Sequence, residues 1–316
     1  MRLGVVMDPI ASINQKKDST FAMLLAAKAR EWEIVYFEQQ DLFMRDDIPY
    51  GDGRLLEVID DPDQWFEFKA SKRIALADLD VLLMRKDPPF NERFIYTTYI
   101  LDHAERLGVL VVNRPQALRD ANEKFFITFF PQCAPPTLIT QSISELRIFW
   151  EEQHDIVCKP LNSMGGQLVF RIQKNDVNAN VIFDALTHHE TNPIMAQRFI
   201  SEIKEGDKRI LLINGEPIPH KLVRIPQGND WRGNLAVGAK GMVQPLSERD
   251  QWICAQVGPQ LRQRGLYFVG LDVIGDYLTE VNVTSPTGIR ELDHALCINI
   301  SDQLLDWMED HLKKRS

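Results

Sequence analysis

Cysteine is scarce in this sequence. The four residues Cys133, Cys158, Cys254 and Cys297 stand far apart with no C-x-x-C pair. That argues against a disulfide scaffold or a zinc ribbon and fits the reduced thiols of a cytoplasmic protein. Long apolar runs are missing as well. The N-terminal run, residues 3–7, is far too short for a signal peptide or a membrane span, and no other approaches that length. Repeats and low-complexity tracts are absent. Positive charge is outnumbered: 36 Lys and Arg face 45 Asp and Glu, a net charge of −9. This argues against a general nucleic-acid or membrane-surface binder, so any anion site must be a local gathering of Lys, Arg and backbone N–H groups. What is present is a chain of 316 residues with ordinary globular composition, long enough for about two domains.

Residues 3–7, 34–37, 79–84 and 109–112 are short apolar runs, as expected of strands buried on both faces of a parallel sheet. Helices are expected between them. One spans residues 21–30, capped by Asp18 or Ser19; another starts at Asn91 and runs to about Leu107, with Gly108 beyond its end. The acid-rich stretch 46–63, with Pro49, Gly51 and Gly53, is expected to be irregular or a small hairpin. In such an α/β sheet ligands lie at the carboxyl ends of the strands, which here carry Asp8, Arg85 with Lys86, and Asn113. The rhythm changes near residue 120, where short helices (115–120 and 122–130) and Pro131, Pro135 and Pro136 suggest a domain boundary. Beyond it come a strand at 137–140, a helix from Ser142 to about Gln153, and a helix over 177–188. A hairpin turning at Asn214-Gly215 follows, then a helix opened by Ser247 and Asp250 and stopped by Gly265. A final helix is expected over 291–313.

The residues that carry chemistry centre on 269–283, two apolar strands joined at Gly275-Asp276. Buried strands should not contain acids, yet Asp272, Glu280 and Asn282 lie in this pattern. Glu280 and Asn282 are two apart and share a face. A three-residue loop would place Asp272 opposite Glu280; a two-residue loop would pair it with Thr279. Two carboxylates and an amide oxygen on one face repel one another unless a cation sits between them, and an all-oxygen set favours Mg²⁺. Neutralising Glu280 is then expected to spare or even stabilise the ion-free fold. The plainer alternative is a solvated polar face. Residues 155–170 read as strand, loop, strand. The loop, with Gly165 and Gly166, is neither a P-loop nor a dinucleotide fingerprint, though it can fold N–H groups over phosphates beside Lys159, or be a simple hairpin turn. Residues 226–241 hold Gly228, Gly233, Gly238 and Gly241 with Arg232 and Lys240. That is too long and glycine-rich for a connector and is expected to be a lid.

Several of these motifs, taken in order, resemble a known family. They are Lys124, Lys159 with Ser163-Met164-Gly165-Gly166, Asp207-Lys208-Arg209, Asp272 with Glu280-Val281-Asn282, and Val283-Thr284-Ser285-Pro286. This set is similar to that of the ATP-grasp ligases. Met7-Asp8-Pro9-Ile10, residues 84–90 and Ile225-Pro226-Gln227-Gly228 narrow the resemblance to the bacterial glutathione synthetase branch, over essentially the whole chain. Lys240, where an arginine is expected, and Ser163, where glycine is common, depart from the pattern. The resemblance implies a preATP-grasp parallel-sheet domain (1–120) followed by an α+β ATP-grasp domain (121–316). Its two subdomains, 121–200 and 201–316, would clasp ATP. The implied reaction joins γ-glutamylcysteine to glycine through an acyl phosphate, giving glutathione, ADP and phosphate. Lys124, Lys159, Ser163, Met164, Gly165, Gly166, Gln197, Arg198, Phe199, Ile200 and Asp207 would hold ATP. Asp272, Glu280 and Asn282 would hold two Mg²⁺ or Mn²⁺ ions. Arg209 and Arg232 would be catalytic, and Asp8, Lys17, Arg85, Arg224, Ser285 and Thr287 would take the other substrates. A homo-oligomer, as large as a tetramer, is implied too. Two alternatives stay open: another ATP-grasp carboxylate–amine ligase, and a regulatory domain that holds MgATP without turning it over.

Overall fold

The apolar runs of the first third become parallel strands because both of their faces are covered. In the computed structural model, which describes residues 1–227 and 240–315, β1 (Arg2–Met7), α1 (Ser19–Ala29) and β2 (Glu33–Phe37) open the chain. β3 (Leu42–Arg45), β4 (Ile48–Val58), β5 (Phe66–Ala75), β6 (Val81–Arg85), α2 (Glu92–Arg106) and β7 (Leu110–Val112) complete the first sheet. Its order is β3-β4-β2-β1-β6-β7, with β5 on the flank of β4. β2, β1, β6 and β7 run parallel. Asp18, not Ser19, caps α1, accepting from the Phe21 N–H at 2.6 Å, and Asn91 caps α2. The stretch expected to be irregular or a small hairpin is mostly the long strand β4, paired antiparallel with β3 before it and β5 after it, so the hairpin alternative is the nearer one. Gly51 and Gly53 serve packing there: a Cβ on either would stand 2.4–2.7 Å from the Phe37 ring.

α3 (Pro115–Asp120) and a 3-10 turn at Phe125–Phe129, in place of the longer helix expected at 122–130, lead into the second sheet. That sheet is built from β8 (Thr137–Thr140), α4 (Ile143–Gln153), β9 (Ile156–Pro160), β10 (Phe170–Ile172), α5 (Ala179–Thr187) and β11 (Ile194–Arg198). Its strand order is β10-β9-β11-β8, all antiparallel. The third sheet uses β12 (Asp207–Ile213), β13 (Glu216–Ile225), β14 (Lys240–Pro245), α6 (Glu248–Arg264), β15 (Phe268–Ile274) and β16 (Tyr277–Asn282). It is antiparallel in the order β14-β13-β12-β15-β16. Of the expected lid 226–241, residues 228–239, Arg232 among them, lie outside the described residues; Lys240 and Gly241 already belong to β14, paired with Ile225 and Arg224. Among the described residues no helix is long and apolar enough to cross a membrane.

Asn113, at the carboxyl end of β7, is spent on structure. Its Nδ2 donates to the Phe268 and Val283 carbonyls at 2.8 and 2.7 Å, and its Oδ1 accepts from the Phe268 N–H. It thereby bolts the first sheet to β15 and to the residue that follows β16. The single helix expected over 291–313 is two, α7 (Ile289–Leu296) and α8 (Ile300–Lys313), broken where Cys297 takes φ 55°. Asp293 Oδ1 accepts from the Ile300 N–H at 2.9 Å across this break. Burial pushes the Asp293 carboxyl up to about 6, against the pull of that hydrogen bond and of Arg290. A raised acid costs the fold stability once ionised: the cost is absent below the unfolded pKa near 4 and complete above about 6. Asp293→Asn keeps the acceptor oxygen, so it should raise Tm at pH 7.5 and lose that advantage near pH 4. Thermal melts at the two pH values check it.

Candidate active site

The β15–β16 hairpin turns on two residues, Gly275 and Asp276, with Ile274 opposite Tyr277 and Val273 opposite Leu278. That turn alone would pair Asp272 with Thr279. A bulge intervenes: the register shifts by one, and Asp272 stands opposite Glu280. Thr279, the extra residue, donates its hydroxyl to the Asp272 carbonyl at 3.1 Å. Two residues on, Asn282 pairs with Gly270 and donates Nδ2 to its carbonyl at 3.2 Å. The three oxygen-bearing side chains therefore share one face.

Neighbouring strands extend this face. Arg209 of β12 lies opposite Asp272, and Arg224 of β13 opposite Asp207. Arg209 grips Asp272 through Nε to Oδ1 (2.6 Å) and Nη2 to Oδ2 (3.1 Å), while its Nη1 donates to the Thr287 carbonyl at 3.1 Å. Arg224 Nη2 reaches Asp272 Oδ1 at 3.1 Å and pairs with Asp207. Burial opposes the charge on Asp272, but the two arginines outweigh it and hold the carboxyl well below its ordinary range. Burial dominates at Asp207 and pushes it upward; among the described residues its Oδ1 has no hydrogen-bond partner. Glu280 lies 3.1 Å from Lys159 Nζ and 3.9 Å from Lys124 Nζ. Burial again opposes its charge, and the two lysines win, lowering the carboxyl. The cations between the acids are thus the protein's own. Among the described residues no group of three or more His, Cys, Asp or Glu is poised to hold a metal ion. The donor chemistry of Asp272, Glu280 and Asn282 nevertheless suits a hard cation. Its entry requires the lysines and arginines to turn to another partner.

A cavity of about 110 Å³ opens beside these pairs, between the second and third sheets. Val157, Ile200, Ile203 and Ile274 give it apolar walls, and Lys124 and Lys159 stand at its polar end. Ser163, Met164, Gly165 and Gly166 form one rim, the glycines at φ 63° and 75°. The Ser163 carbonyl accepts from Lys124 Nζ. Gln197, Arg198, Phe199 and Ile200 form another edge, where Arg198 donates to the Tyr277 hydroxyl at 2.8 Å and so touches the third sheet. Asp207 also lines the cavity. Fourteen of the residues singled out from the sequence thus meet in or beside it: Lys124, Lys159, 163–166, 197–200, Asp207, Asp272, Glu280 and Arg209, the partner of Asp272.

The substrate-site candidates gather at the carboxyl edge of the first sheet. Asp8 Oδ1 is 2.7 Å from Lys86 Nζ, and its Oδ2 accepts from the Asp87 N–H at 2.9 Å. Burial raises the Asp87 carboxyl, against the pull of the Ser285 hydroxyl and of Arg85. Arg85 is buried, donates to Thr20 Oγ1 at 3.0 Å and to the Pro286 carbonyl at 2.9 Å, and burial lowers it to about 10 against the pull of Asp18. Arg85 and Arg209 thus hold consecutive carbonyl-bearing residues of the 286–287 loop. Lys17 is exposed on the approach to α1. Sequence reasoning missed Glu123, whose Oε1 accepts from the Val283 N–H, the Thr284 N–H and the Thr284 hydroxyl at 2.8–3.0 Å. It also missed Thr279. Nothing in the local sequence distinguishes one acid beside Lys124, or one threonine in a strand, from a surface residue.

A parallel-sheet domain followed by two antiparallel sheets around a cavity is the fold of the ATP-grasp ligases. D-cycloserine synthetase DcsG matches with a TM-score of 0.69 at 12% identity, covering 99% of this chain and 100% of that one. The ATP-grasp ligase PsnB, complexed with a minimal precursor, Mg and ADP, matches with a TM-score of 0.63 at 17% identity over 98% of each chain. At these identities the likeness is one of fold. The chain belongs to the prokaryotic glutathione synthetase family. The N-terminal domain model of that family matches residues 1–119 and its ATP-grasp domain model residues 123–296. Relatives named glutathione synthetase include one from Pseudomonas aeruginosa, 58% identical over 100% of this chain and 99% of its own length. Another, from Escherichia coli, is 50% identical over 100% of both.

Proposed function

We propose that this chain is an ATP-dependent ligase that joins the cysteinyl carboxylate of γ-glutamylcysteine to the amine of glycine. The products are glutathione, ADP and phosphate. Family membership and the identity to relatives of that name support the reaction. The observation that carries the site is the meeting of Lys124 and Lys159 with Glu280, and of Arg209 with Asp272, at the mouth of one cavity between two sheets. We divide the chain into a substrate-binding domain (1–120) and two ATP-clasping parts, 121–200 and 201–316.

In this reading adenine lies against residues 197–200 and Asp207 takes a hydroxyl of the ribose. Lys124, Lys159 and the 163–166 loop take the phosphates. Asp272, Glu280 and Asn282 hold two Mg²⁺ or Mn²⁺ ions, which when bound neutralise phosphate charge. As the phosphates draw off Lys124 and Lys159, Glu280 is released from its ion pairs. Arg209 stabilises the charge on the transferring phosphoryl group and then on the tetrahedral oxyanion formed as the amine attacks. Arg232, in the segment 226–241, adds charge over the acyl phosphate. Asp8, Lys17 and Arg85 hold the dipeptide, and Arg224, Ser285 and Thr287 the reacting carboxylate and glycine. Positioning and charge neutralisation carry this chemistry. We further propose a cytoplasmic homo-oligomer, as large as a tetramer, without nucleic-acid or membrane partners; the reduced thiols and the net charge of −9 support the cellular side of this.

ADP release measured with each amino substrate alone and with both tests the reading. Release that needs γ-glutamylcysteine and glycine together is expected. Release with a different amine, or nucleotide binding without turnover, would overturn it. Lys159→Met is expected to weaken nucleotide affinity by about 1–3 kcal/mol, the range for a charge-assisted hydrogen bond. Calorimetry showing unchanged affinity would place Lys159 outside the site.

A further inference from the structure

On the back of the third sheet lies a second charged cluster, which the proposed chemistry leaves unused. β12 alternates: Asp207 and Arg209 face the cavity side, and Lys208 between them points the other way, toward α6. Lys208 Nζ donates to Asp250 Oδ1 at 3.1 Å and to the Gly275 carbonyl at 2.6 Å. Asp250 is fully buried. Its other oxygen pairs with Lys221 of β13 and accepts from the Ser247 N–H at 2.9 Å. Burial opposes its charge, but Lys221, the Ser247 cap and Lys208 outweigh it and the carboxyl lies below its ordinary range.

Two lysines on one acid, Lys221 buried and Lys208 half-buried, are more than this cluster needs for stability. The capping box of α6, Ser247 with Asp250, is complete without either, and Lys221 alone neutralises the carboxylate. What Lys208 adds is the Gly275 carbonyl, in the turn of the hairpin that carries Asp272 and Glu280. The other turn carbonyl, that of Asp276, accepts from Arg249 Nε at 3.0 Å, again from the first turn of α6. This hairpin has reason to be held. Without its bulge it would pair Asp272 with Thr279, and a one-residue slip turns a side chain to the opposite face. Glu280 would then leave the cavity side altogether.

We propose that Lys208 is a positioning residue: from behind the sheet it ties the Gly275 turn to α6 and so holds the bulged register that sets Glu280 opposite Asp272. This rests on reading the cavity side as the nucleotide and metal site. Lys208→Met and Lys221→Met are matched tests, since each leaves Asp250 one lysine and neither buries an unpaired charge. Both should lower Tm. Lys208→Met alone should lower kcat, by about 100-fold, the scale on which a small misplacement acts, with KM for ATP within about threefold. Lys221→Met should leave kcat within about twofold. Amide hydrogen exchange on the ligand-free protein gives a readout independent of turnover: β15–β16 should exchange faster in Lys208→Met than in Lys221→Met. Equal loss of kcat in the two variants, or unchanged hairpin exchange in Lys208→Met, overturns the proposal. A wild-type chain without ligase activity would instead remove the functional reading, while the exchange comparison would still decide what Lys208 holds.

Discussion

Glu280→Gln is expected to abolish ligation, by about 1,000-fold or more, while the protein stays folded. The side chain is the point where the two lysines of the cavity, at 3.1 and 3.9 Å, meet the acidic face of the hairpin. A glutamine preserves shape and loses the charge that a divalent cation requires. The effect on stability separates two accounts of the same residue. Carboxylate repulsion alone predicts that neutralising Glu280 strengthens the ligand-free protein. The structure reverses that sign, because Lys124 and Lys159 are buried against Glu280. Removing the charge strips them of their carboxylate and leaves them only backbone carbonyls, so Tm at pH 7.5 should fall, by the equivalent of about 1–3 kcal/mol. Because the folded carboxyl is lowered, this contribution is present above the ordinary carboxylate pKa and lost as pH falls through the folded value. Wild type and variant should therefore converge in acid. Near-normal turnover of the variant would remove the metal role, and a raised Tm at pH 7.5 would contradict the pairing with the lysines.

Arg209→Lys is the second large effect. A lysine retains the charge and forfeits the planar fork. Arg209 uses that fork fully: Nε and Nη2 on Asp272, Nη1 on the Thr287 carbonyl. If it stabilises charge that develops only during reaction, kcat should fall by about 100- to 1,000-fold with little change in KM for ATP. Stability should drop only modestly, since Asp272 keeps Arg224 at 3.1 Å. Steady-state kinetics decide the matter: a rise in KM at constant kcat would make Arg209 a binding residue and not a catalytic one.

The parallel sheet was legible because β1, β2, β6 and β7 are buried on both faces, which leaves wholly apolar runs. Capped helix ends at Asn91, Ser142 and Ser247 were legible because the caps are local. The stretch 46–63 was only half read, as irregular or a small hairpin, because Gly51 and Gly53 look like breakers, whereas they are small to admit the Phe37 ring from the neighbouring strand β2. The helix break at Cys297 leaves no glycine or proline signal. At the site, the acids on one face could be read from their spacing, yet the loop length could not. Neither simple alternative holds: the turn has two residues, and a bulge restores the pairing that a three-residue loop would give. Which cations face those acids was equally hidden, since Lys159 and Glu280 are 121 residues apart.

Following heavy oxygen through one turnover tests the central claim most directly. With γ-glutamylcysteine labelled in its cysteinyl carboxylate, an acyl phosphate intermediate passes one labelled oxygen to inorganic phosphate for each glutathione formed. Mass spectrometry of the released phosphate should show that single transfer, with ADP as the nucleotide product. Unlabelled phosphate, or label appearing in AMP, would contradict the account.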